Sequence, residues 1–198
     1  MSIFEGPPGS TPLTTEEQEG LIPTWVATHG DLNRAEQDNI ASATLWVGGR
    51  RWRVDDITAA WLRNLHHRML SEVWDWAGNY RTRDVNIGGR VAPYQIPVAV
   101  ETLVLDMREQ VDVWTPDEVA VRFHHSLVSI HPFPNGNGRH SRLVADVLVE
   151  ALGGTRFAWG GRSLTDNGES RAAYISALHR ADDGDPDPLI AFARTPGL

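Results

Sequence analysis

The chain lacks two residue types whose absence narrows its chemistry. Its 198 residues include no cysteine and no lysine. Without cysteine, the chain has no thiol nucleophile, no thiolate ligand for zinc and no disulfide. Without lysine, it cannot form a Walker-type phosphate loop or a Schiff base, because both need a lysine amine. Anion binding must therefore depend on arginine side chains and backbone amides.

Long apolar runs and a positive net charge are also missing. No apolar stretch is long enough for a transmembrane helix, and residues 1–13 lack the basic start and apolar run of a secretory leader. These features predict a cytoplasmic protein that does not bind membranes. The formal net charge of −8 predicts no direct binding to nucleic acid, because it would repel a phosphate backbone. With 41% hydrophobic residues, the chain is expected to form one globular domain, with room for a small appendage.

Helix-start signals and apolar periodicity predict a mainly helical chain. A capping box at Thr14 and Glu17 predicts a short first helix, and Thr115 followed by Pro116 predicts another helix start. The helix from Thr115 is expected to end before Pro132, because proline disfavours helical geometry in the preceding residue. The other predicted helices are Asp31–Ala43, Thr58–Leu70, Val98–Val113, the periodic segment Leu143–Leu152, Ser170–Ala181 and Pro188–Ala193.

One stretch follows an extended pattern instead. Val85 and Ile87 alternate with polar neighbours, Gly88-Gly89 supplies a turn, and the alternation resumes at Tyr94. This pattern predicts a β-hairpin at about Val85 to Ile96.

The loop and helix start at residues 131–142 combine groups suited to anion binding with a candidate base. Gly136 and Gly138 let the backbone turn tightly and expose amides at the start of the following helix. Arg139 and Arg142 are three residues apart, so both project from one side of that helix and each can bind phosphate oxygens in a forked geometry. His131 ends the preceding helix, where a neutral imidazole can accept the proton of an incoming hydroxyl. The segment therefore predicts a proton acceptor facing a phosphate site.

These residues carry a resemblance to a known family. The run His131-Pro-Phe-Pro-Asn-Gly-Asn-Gly-Arg139, with Arg142 three residues later, resembles the Fic/Doc signature His-x-Phe-x-Asp/Glu-Gly-Asn-Gly-Arg-x-x-Arg. The form Pro134-Asn135 and the chain length resemble the subgroup called mobile mystery protein B. Further support, spanning about Asp31 to Phe192, comes from Trp76-Ala77-Gly78, Tyr80-Arg81, Asn86-Ile87, Tyr174 and Asp182.

The resemblance implies a mainly α Fic fold, a compact helical domain with one β-hairpin flap beside the active-site loop. Residues 31–198 would form the Fic domain, and residues 1–30 an N-terminal segment with a short helix. The predicted hairpin, about Val85 to Ile96, would be the flap, and it would dock the backbone of a target protein through Asn86, Ile87 and Gly88.

The resemblance also implies the reaction, transfer of AMP from ATP to a Tyr, Ser or Thr hydroxyl of a target protein, with Mg²⁺ present. His131 would deprotonate the hydroxyl, and Arg139 and Asn137 would be the other catalytic residues. Arg139 would bind the β-phosphate, Arg142 the γ-phosphate, and Tyr174 would stack on the adenine. The full implied nucleotide-binding set is Asn135, Gly136, Asn137, Gly138, Arg139, Arg142 and Tyr174. The sequence identifies neither the target protein nor the oligomeric state.

Asn135 departs from the family pattern, which usually places here an acid that helps to hold Mg²⁺. An amide oxygen can still ligate the ion, but it lacks the negative charge, so we expect weaker metal binding and attenuated activity. Asn135 also favours an alternative in which the chain is a non-catalytic, nucleotide-binding regulator. A phosphotransferase variant of the same family is a further alternative.

A second family feature concerns the N-terminal segment. Thr15-Glu-Glu-Gln-Glu-Gly20 fits the inhibitory pattern Ser/Thr-x-x-x-Glu-Gly/Asn. In proteins that use this pattern, the glutamate pairs with the second arginine of the signature. The resemblance therefore implies that Glu19 pairs with Arg142 and restrains the enzyme, whereas the alternative is a solvated glutamate on a surface helix.

The histidines of this region suggest a different enzyme class, a zinc hydrolase. The grouped histidines are His124, His125, His131 and His140. This alternative is disfavoured because His-Glu-x-x-His is missing and adjacent histidines point to different faces of a helix. We expect His124 to be a core or supporting residue and His140 to be solvated, and we expect Trp61, Trp74 and Trp76 to lie in the core.

Overall fold

The computed structural model describes residues 12–85, 91–161 and 168–196. Within these ranges the chain is mainly helical, as predicted. None of the described helices combines the length and apolar character that crossing a bilayer requires. The helices are α1 (Thr15–Glu19), α2 (His29–Gly48), α3 (Ala59–Leu70), α4 (Ile96–Gln110), α5 (Pro116–Ile130), α6 (Asn137–Ala151), α7 (Gly168–Asp182) and α8 (Asp187–Arg194), with 3₁₀ turns at Val54–Asp56 and Pro93–Gln95.

Local capping signals set several of these boundaries. At α1, the Glu17 backbone N–H donates to Thr14 Oγ1 over 3.2 Å, and the Thr14 N–H donates to the Glu17 carboxylate over 2.7 Å. Thr115 caps α5 in the same way, so both predicted helix starts are confirmed. Helix α2 begins before the predicted Asp31, because Thr28 and Asp31 form a further capping box, and it continues to Gly48.

The core lies around α5 and α6, which pack against each other along their length. Helix α4 covers α5, helix α3 lies against α2 and α6, and α7 and α8 pack together beside α5. Val144, Ala145 and Leu148 of α6 are fully buried, as is Val119 of α5. The turn between α5 and α6 is therefore anchored at both ends by the most deeply buried helices, which limits how far its residues can move.

The predicted β-hairpin is not confirmed. Its residues Asn86, Ile87 and Gly88 lie outside the described part of the chain. Its second half is wrong, because Tyr94 belongs to a 3₁₀ turn and α4 begins at Ile96, two residues before its predicted start. Pro93 and Pro97 explain the difference, since each fixes a φ angle suited to the first turn of a helix. In the described ranges no strand is formed, and Leu21 and Trp74 make an isolated antiparallel bridge.

Candidate active site

The turn between α5 and α6 holds its shape through two residues in left-handed conformations. His131 ends α5 with φ 53° and ψ 60°, and Pro132 prevents the helix from continuing. Gly136 starts α6 with φ 78°. A Cβ atom at Gly136 would lie 2.7 Å from Leu70 Cδ1, so any side chain here would meet both backbone strain and a clash. The predicted glycine turn is therefore present, and position 136 is where only glycine fits.

Asn137 braces this loop from within. Its side-chain Oδ1 accepts a hydrogen bond from the Phe133 N–H over 2.9 Å, and its Nδ2 donates to the Phe133 carbonyl over 2.8 Å. Asn137 is 3% exposed. Both polar ends of the side chain are thus used on the loop itself, which leaves its backbone N–H as the group that can face a ligand.

His66 of α3 packs against the turn between α5 and α6, and nothing in the sequence pattern indicated this role. Its ring stacks on Phe133 with centroids 3.7 Å apart. His66 Nδ1 accepts from the Gly78 N–H over 2.9 Å, so the proton lies on Nε2, which donates to the Asn135 carbonyl over 3.0 Å. Burial lowers the pKa of His66 well below its usual 6.5, which keeps the ring neutral.

His131, the expected base, is buried and neutral. Its Nδ1 donates to the Val128 carbonyl over 3.3 Å, which assigns the lone pair to Nε2. Burial, with smaller contributions from Arg81 and Arg83, lowers the pKa of His131 from 6.5 to about 4. The imidazole is therefore in its proton-accepting form at neutral pH, as general-base catalysis requires.

The start of α6 is suited to bind an anion. Gly136 provides no side-chain cap, and the N–H groups of the first turn of a helix have no partner within the helix. The side chain of Arg142 passes over this turn, with Nη1 3.6 Å from the position of a Cβ atom on Gly138. Free amides, the positive end of the helix dipole and a guanidinium group thus meet at one place.

Arg139 is held by an acid that the sequence did not reveal. Its Nη1 lies 2.6 Å from Glu36 Oε2, and Glu36 Oε1 accepts from the Trp74 indole N–H over 2.8 Å. The Glu36 side chain is 8% exposed, whereas that of Arg139 is 27% exposed. This ion pair joins α2 to α6 and fixes the direction of Arg139, leaving its other donors for a ligand.

Arg142 and Tyr174 contact each other. The guanidinium carbon lies 5.5 Å from the centre of the Tyr174 ring, and the Tyr174 hydroxyl bonds to His124 Nε2 over 3.1 Å. His124 is fully buried, so the expectation that it lies in the core is confirmed. Tyr174 is also buried, and one ring face meets Arg142, so adenine stacking by this residue stays a prediction. The oxygens of Asp146, one turn after Arg142, bind Arg156 and Trp159.

A third arginine joins this region, and the sequence did not indicate it. Arg171 lies three residues before Tyr174 in α7, on the same side of that helix. Burial, together with the nearby charges of Arg142 and Arg139, lowers the pKa of Arg171. Arg171 thus adds a third positive charge near Arg139 and Arg142 in a chain whose net charge is −8, which favours an anion in this region.

Glu19, the expected inhibitory residue, is exposed at the end of α1. Across the described ranges it forms no ion pair or side-chain hydrogen bond. The acid that docks α1 is Glu17, which lies 2.8 Å from Arg83 Nη2, and the Trp76 indole N–H donates to the Glu17 carbonyl over 2.9 Å. The inhibitory role of Glu19 stays a prediction.

The side chains here do not make a Mg²⁺ site by themselves. Asn135 Oδ1 accepts a hydrogen bond from the Gly136 N–H over 2.5 Å, and it is a neutral oxygen. No group of three or more His, Asp or Glu side chains in the described residues could hold a metal ion. A hard cation at this loop would therefore have to take most of its oxygen ligands from a bound nucleotide and water.

The histidine cluster does not assemble. His125 bonds to Asp182 over 3.0 Å, and His140 bonds to the Leu62 carbonyl over 2.9 Å. The expectation that His140 is solvated is wrong, because it is fully buried. Its position in α6 faces α3, and α6 is buried on most of its circumference. Trp61 and Trp74 lie in the core as expected, and Trp76 packs at its edge.

Known proteins resemble this chain in sequence and in fold. Residues 56–149 match the family model described as the Fic/DOC family. The chain is 30% identical over 141 residues to the protein adenylyltransferase Fic of Drosophila sechellia, and the match covers 69% of this chain and 27% of that protein. The chain thus spans about a quarter of the length of this curated relative.

Solved structures share the fold. Fic-1 (residues 134–508) from C. elegans superimposes with a TM-score of 0.67 at 23% identity, covering 89% of this chain and 51% of that one. BepC, a VirB-translocated effector protein of Bartonella tribocorum solved with bound AMPPNP, has a TM-score of 0.66 at 17% identity and covers 91% and 97%. The signature loop, the helical fold and the family match agree, so this chain carries a Fic domain and belongs to the Fic/DOC family.

Proposed function

We propose that the chain is a protein adenylyltransferase that moves AMP from ATP to a Tyr, Ser or Thr hydroxyl of a target protein. One observation carries the proposal: a neutral, buried His131 stands beside an uncapped helix start at which Arg139 and Arg142 converge. The name of the fly relative, which is an adenylyltransferase, agrees with this reaction. BepC was solved with an ATP analogue, which agrees with a nucleotide at this loop.

Each of these groups has a role in the proposed reaction. His131 Nε2 takes the proton of the target hydroxyl, and the oxygen forms a bond to the α-phosphorus of ATP. The bond from that phosphorus to the bridging oxygen breaks, and pyrophosphate leaves. Backbone N–H groups of Gly136, Asn137 and Gly138 would hold the α- and β-phosphates, with Arg139 on the β- and Arg142 on the γ-phosphate. The bound phosphates would raise the pKa of His131 from about 4 toward the working pH, which strengthens the base.

Arg139 and Arg142 would stabilise the negative charge that develops on the leaving pyrophosphate. Because Glu36 already directs Arg139, little side-chain entropy is lost when the phosphate binds. Mg²⁺ would supply further charge neutralisation on the phosphates, with Asn135 as its weak protein ligand. The target protein would dock its backbone at Asn86, Ile87 and Gly88, next to the described residues Val85 and Val91.

Labelled ATP tests the reaction and separates it from its alternatives. The chain is incubated with a cell lysate and ATP labelled at either the α- or the γ-phosphorus, with lysate alone as the control. AMP transfer predicts protein-bound label from α-labelled ATP only. Label from γ-labelled ATP only would identify a phosphotransferase. ATP binding by calorimetry with no label transferred would identify the non-catalytic regulator and would refute the proposal.

Asn135→Asp is expected to restore the missing charge at the metal. The variant should reach half-maximal AMP transfer at a Mg²⁺ concentration lower by about tenfold, because a carboxylate attracts the ion more strongly than an amide. Activity is measured across a Mg²⁺ titration. Asn64→Asp, which adds the same charge at an exposed position of α3, is the control and should not change the midpoint. An unchanged midpoint in Asn135→Asp would contradict attenuation by Asn135.

Glu19→Gly tests autoinhibition. If Glu19 reaches Arg142 and excludes the γ-phosphate, removing it should raise auto-modification with labelled ATP by about fivefold or more. Glu16→Gly is the matched control, because Glu16 is also exposed on α1 and the glycine weakens the helix equally. Equal rates in the two variants and the parent would show that Glu19 is a solvated surface residue.

A further inference from the structure

Arg81 is a buried cation whose bonds all end on backbone carbonyls. The residue is 2% exposed. Its Nε donates to the His131 carbonyl over 2.7 Å, Nη1 to Arg83 over 2.7 Å, and Nη2 to Val91 over 2.6 Å and Ile130 over 3.3 Å. In the described ranges no carboxylate lies within ion-pair distance of it. A side chain that buries a charge without an acid must be held by several good hydrogen bonds, so its geometry is strongly constrained.

Two of these carbonyls belong to the end of α5. The last carbonyls of a helix have no partner within the helix and carry the negative end of its dipole, so a cation is favoured there. Ile130 is the last residue of α5, and His131 follows it in the left-handed conformation. The Arg81 backbone N–H also donates to the Pro132 carbonyl over 2.9 Å. Arg81 therefore fixes the backbone of three successive residues, with His131 in the middle.

The other two carbonyls lie on either side of residues 86–90. Arg83 precedes this segment and Val91 follows it. One guanidinium group thus ties together the chain entering the segment, the chain leaving it, and the backbone of His131. Replacing the planar fork by a lysine amine, which is a point donor, could not keep all of these bonds at once.

We propose that Arg81 is a positioning residue that fixes the backbone at Arg83 and Val91 relative to His131 and thus to its imidazole. The inference rests on the proposed function, in which the target docks beside Val85 and Val91. Arg81 touches neither the α6 start nor the side chains of Arg139 and Arg142. It therefore acts on the approach of the target hydroxyl to Nε2 and leaves the affinity for ATP unchanged.

Arg81→Lys, which keeps the charge, tests this role. The expected result is a loss of AMP transfer by roughly a hundredfold, because a misplacement of about 1 Å between base and nucleophile has this effect. The Kd for ATP should change by less than about threefold, since the phosphate site is untouched. Arg63→Lys is the matched control: Arg63 Nε also donates to a carbonyl, that of Gly78, over 3.0 Å, and this variant should transfer AMP like the parent.

Amide hydrogen exchange supplies a readout that does not depend on turnover. Faster exchange is expected at Arg83, Val91 and His131 together in Arg81→Lys, with unchanged exchange in α6. If the parent transfers no AMP, the proposed function fails, and coupled exchange at these residues still decides the role of Arg81. Two results would overturn the inference: full transfer by Arg81→Lys, or a parallel fall of ATP affinity, melting temperature and transfer, which would indicate a purely structural residue.

Discussion

His131→Ala is expected to lower the rate of AMP transfer by about 10²- to 10⁴-fold while ATP still binds. The imidazole is the only group placed at the end of α5 that the proposed mechanism uses to take the target proton, and its neutral state at pH 7 follows from burial. The alanine removes the base, whereas the α6 amides, Arg139 and Arg142 remain. The measurement combines single-turnover transfer of α-labelled ATP with calorimetric titration of ATP.

Arg139→Ala is the matched comparison for that result. It removes a phosphate ligand that Glu36 holds in place, so its main effect should be a weaker ATP affinity, by about tenfold or more, since bonds to charged groups contribute about 1.5–3 kcal/mol. Transfer at saturating ATP should fall less than in His131→Ala. Equal losses of ATP affinity in both variants, or normal transfer in His131→Ala, would remove His131 from the role of base.

Unfolding in mild acid is the second large effect expected. The structure describes four fully or nearly buried histidines: His66, His124, His131 and His140. Burial lowers the pKa of His124 to about 3 and that of His131 and His140 to about 4, and it lowers the pKa of His66 well below 6.5. In the unfolded chain these histidines titrate near pH 6.5. Below that pH the unfolded state therefore binds more protons than the folded state.

The sign of the effect is therefore a loss of stability as the pH falls from 6.5 toward 4. Each histidine contributes roughly 1.4 kcal/mol per pH unit, so four together approach a slope on the order of 5 kcal/mol per pH unit below about pH 6. A domain of ordinary stability, about 5–15 kcal/mol, is then expected to unfold near pH 5. Activity should consequently fall in acid through unfolding of the domain.

Urea unfolding at a series of pH values measures this slope. His140→Gln removes one of the four titrating histidines and leaves the proposed catalytic groups in place. The glutamine N–H can still donate to the Leu62 carbonyl. The slope below pH 6 should fall by about a quarter in this variant. His179→Gln, at an exposed position of α7, should leave the slope unchanged. A free energy of unfolding that does not vary between pH 7 and pH 5 would show that these histidines are not held neutral by burial.

Features encoded by neighbouring residues were predictable from the sequence. The capping boxes at Thr14 and Thr115 fixed two helix starts. Pro132 and Gly136 indicated where α5 ends and α6 begins, because proline and a positive φ leave few alternatives. The hairpin prediction failed at Tyr94 for a related reason: alternation over a few residues was outweighed by two prolines that favour helical turns.

The contacts that hold the turn between α5 and α6 could not be predicted, because they join residues far apart in the chain. Glu36 and Arg139 are 103 positions apart, and His66 and the carbonyl of Asn135 are 69 apart. Neither pair leaves a periodic or spacing signal. Arg81 was visible as part of Tyr80-Arg81, but its partners are carbonyl oxygens, which every residue possesses, so no residue type in the sequence marks them.

The burial of His140 could not be predicted, because α6 is buried on several faces. His140 was expected in solvent but is fully buried. In the fold, α6 is enclosed by α3 and α5, and His140 finds the Leu62 carbonyl. Burial of a central helix depends on how many neighbours surround it, which its own sequence does not state.

A crystal structure with a non-hydrolysable ATP analogue would show directly whether the nucleotide binds at the start of α6. The expected result is a triphosphate on the first-turn amides of α6, with Arg139 and Arg142 on the outer phosphates and His131 Nε2 directed at the approach to the α-phosphorus. An analogue bound elsewhere, or a loop filled by its own side chains with the imidazole turned away, would contradict it.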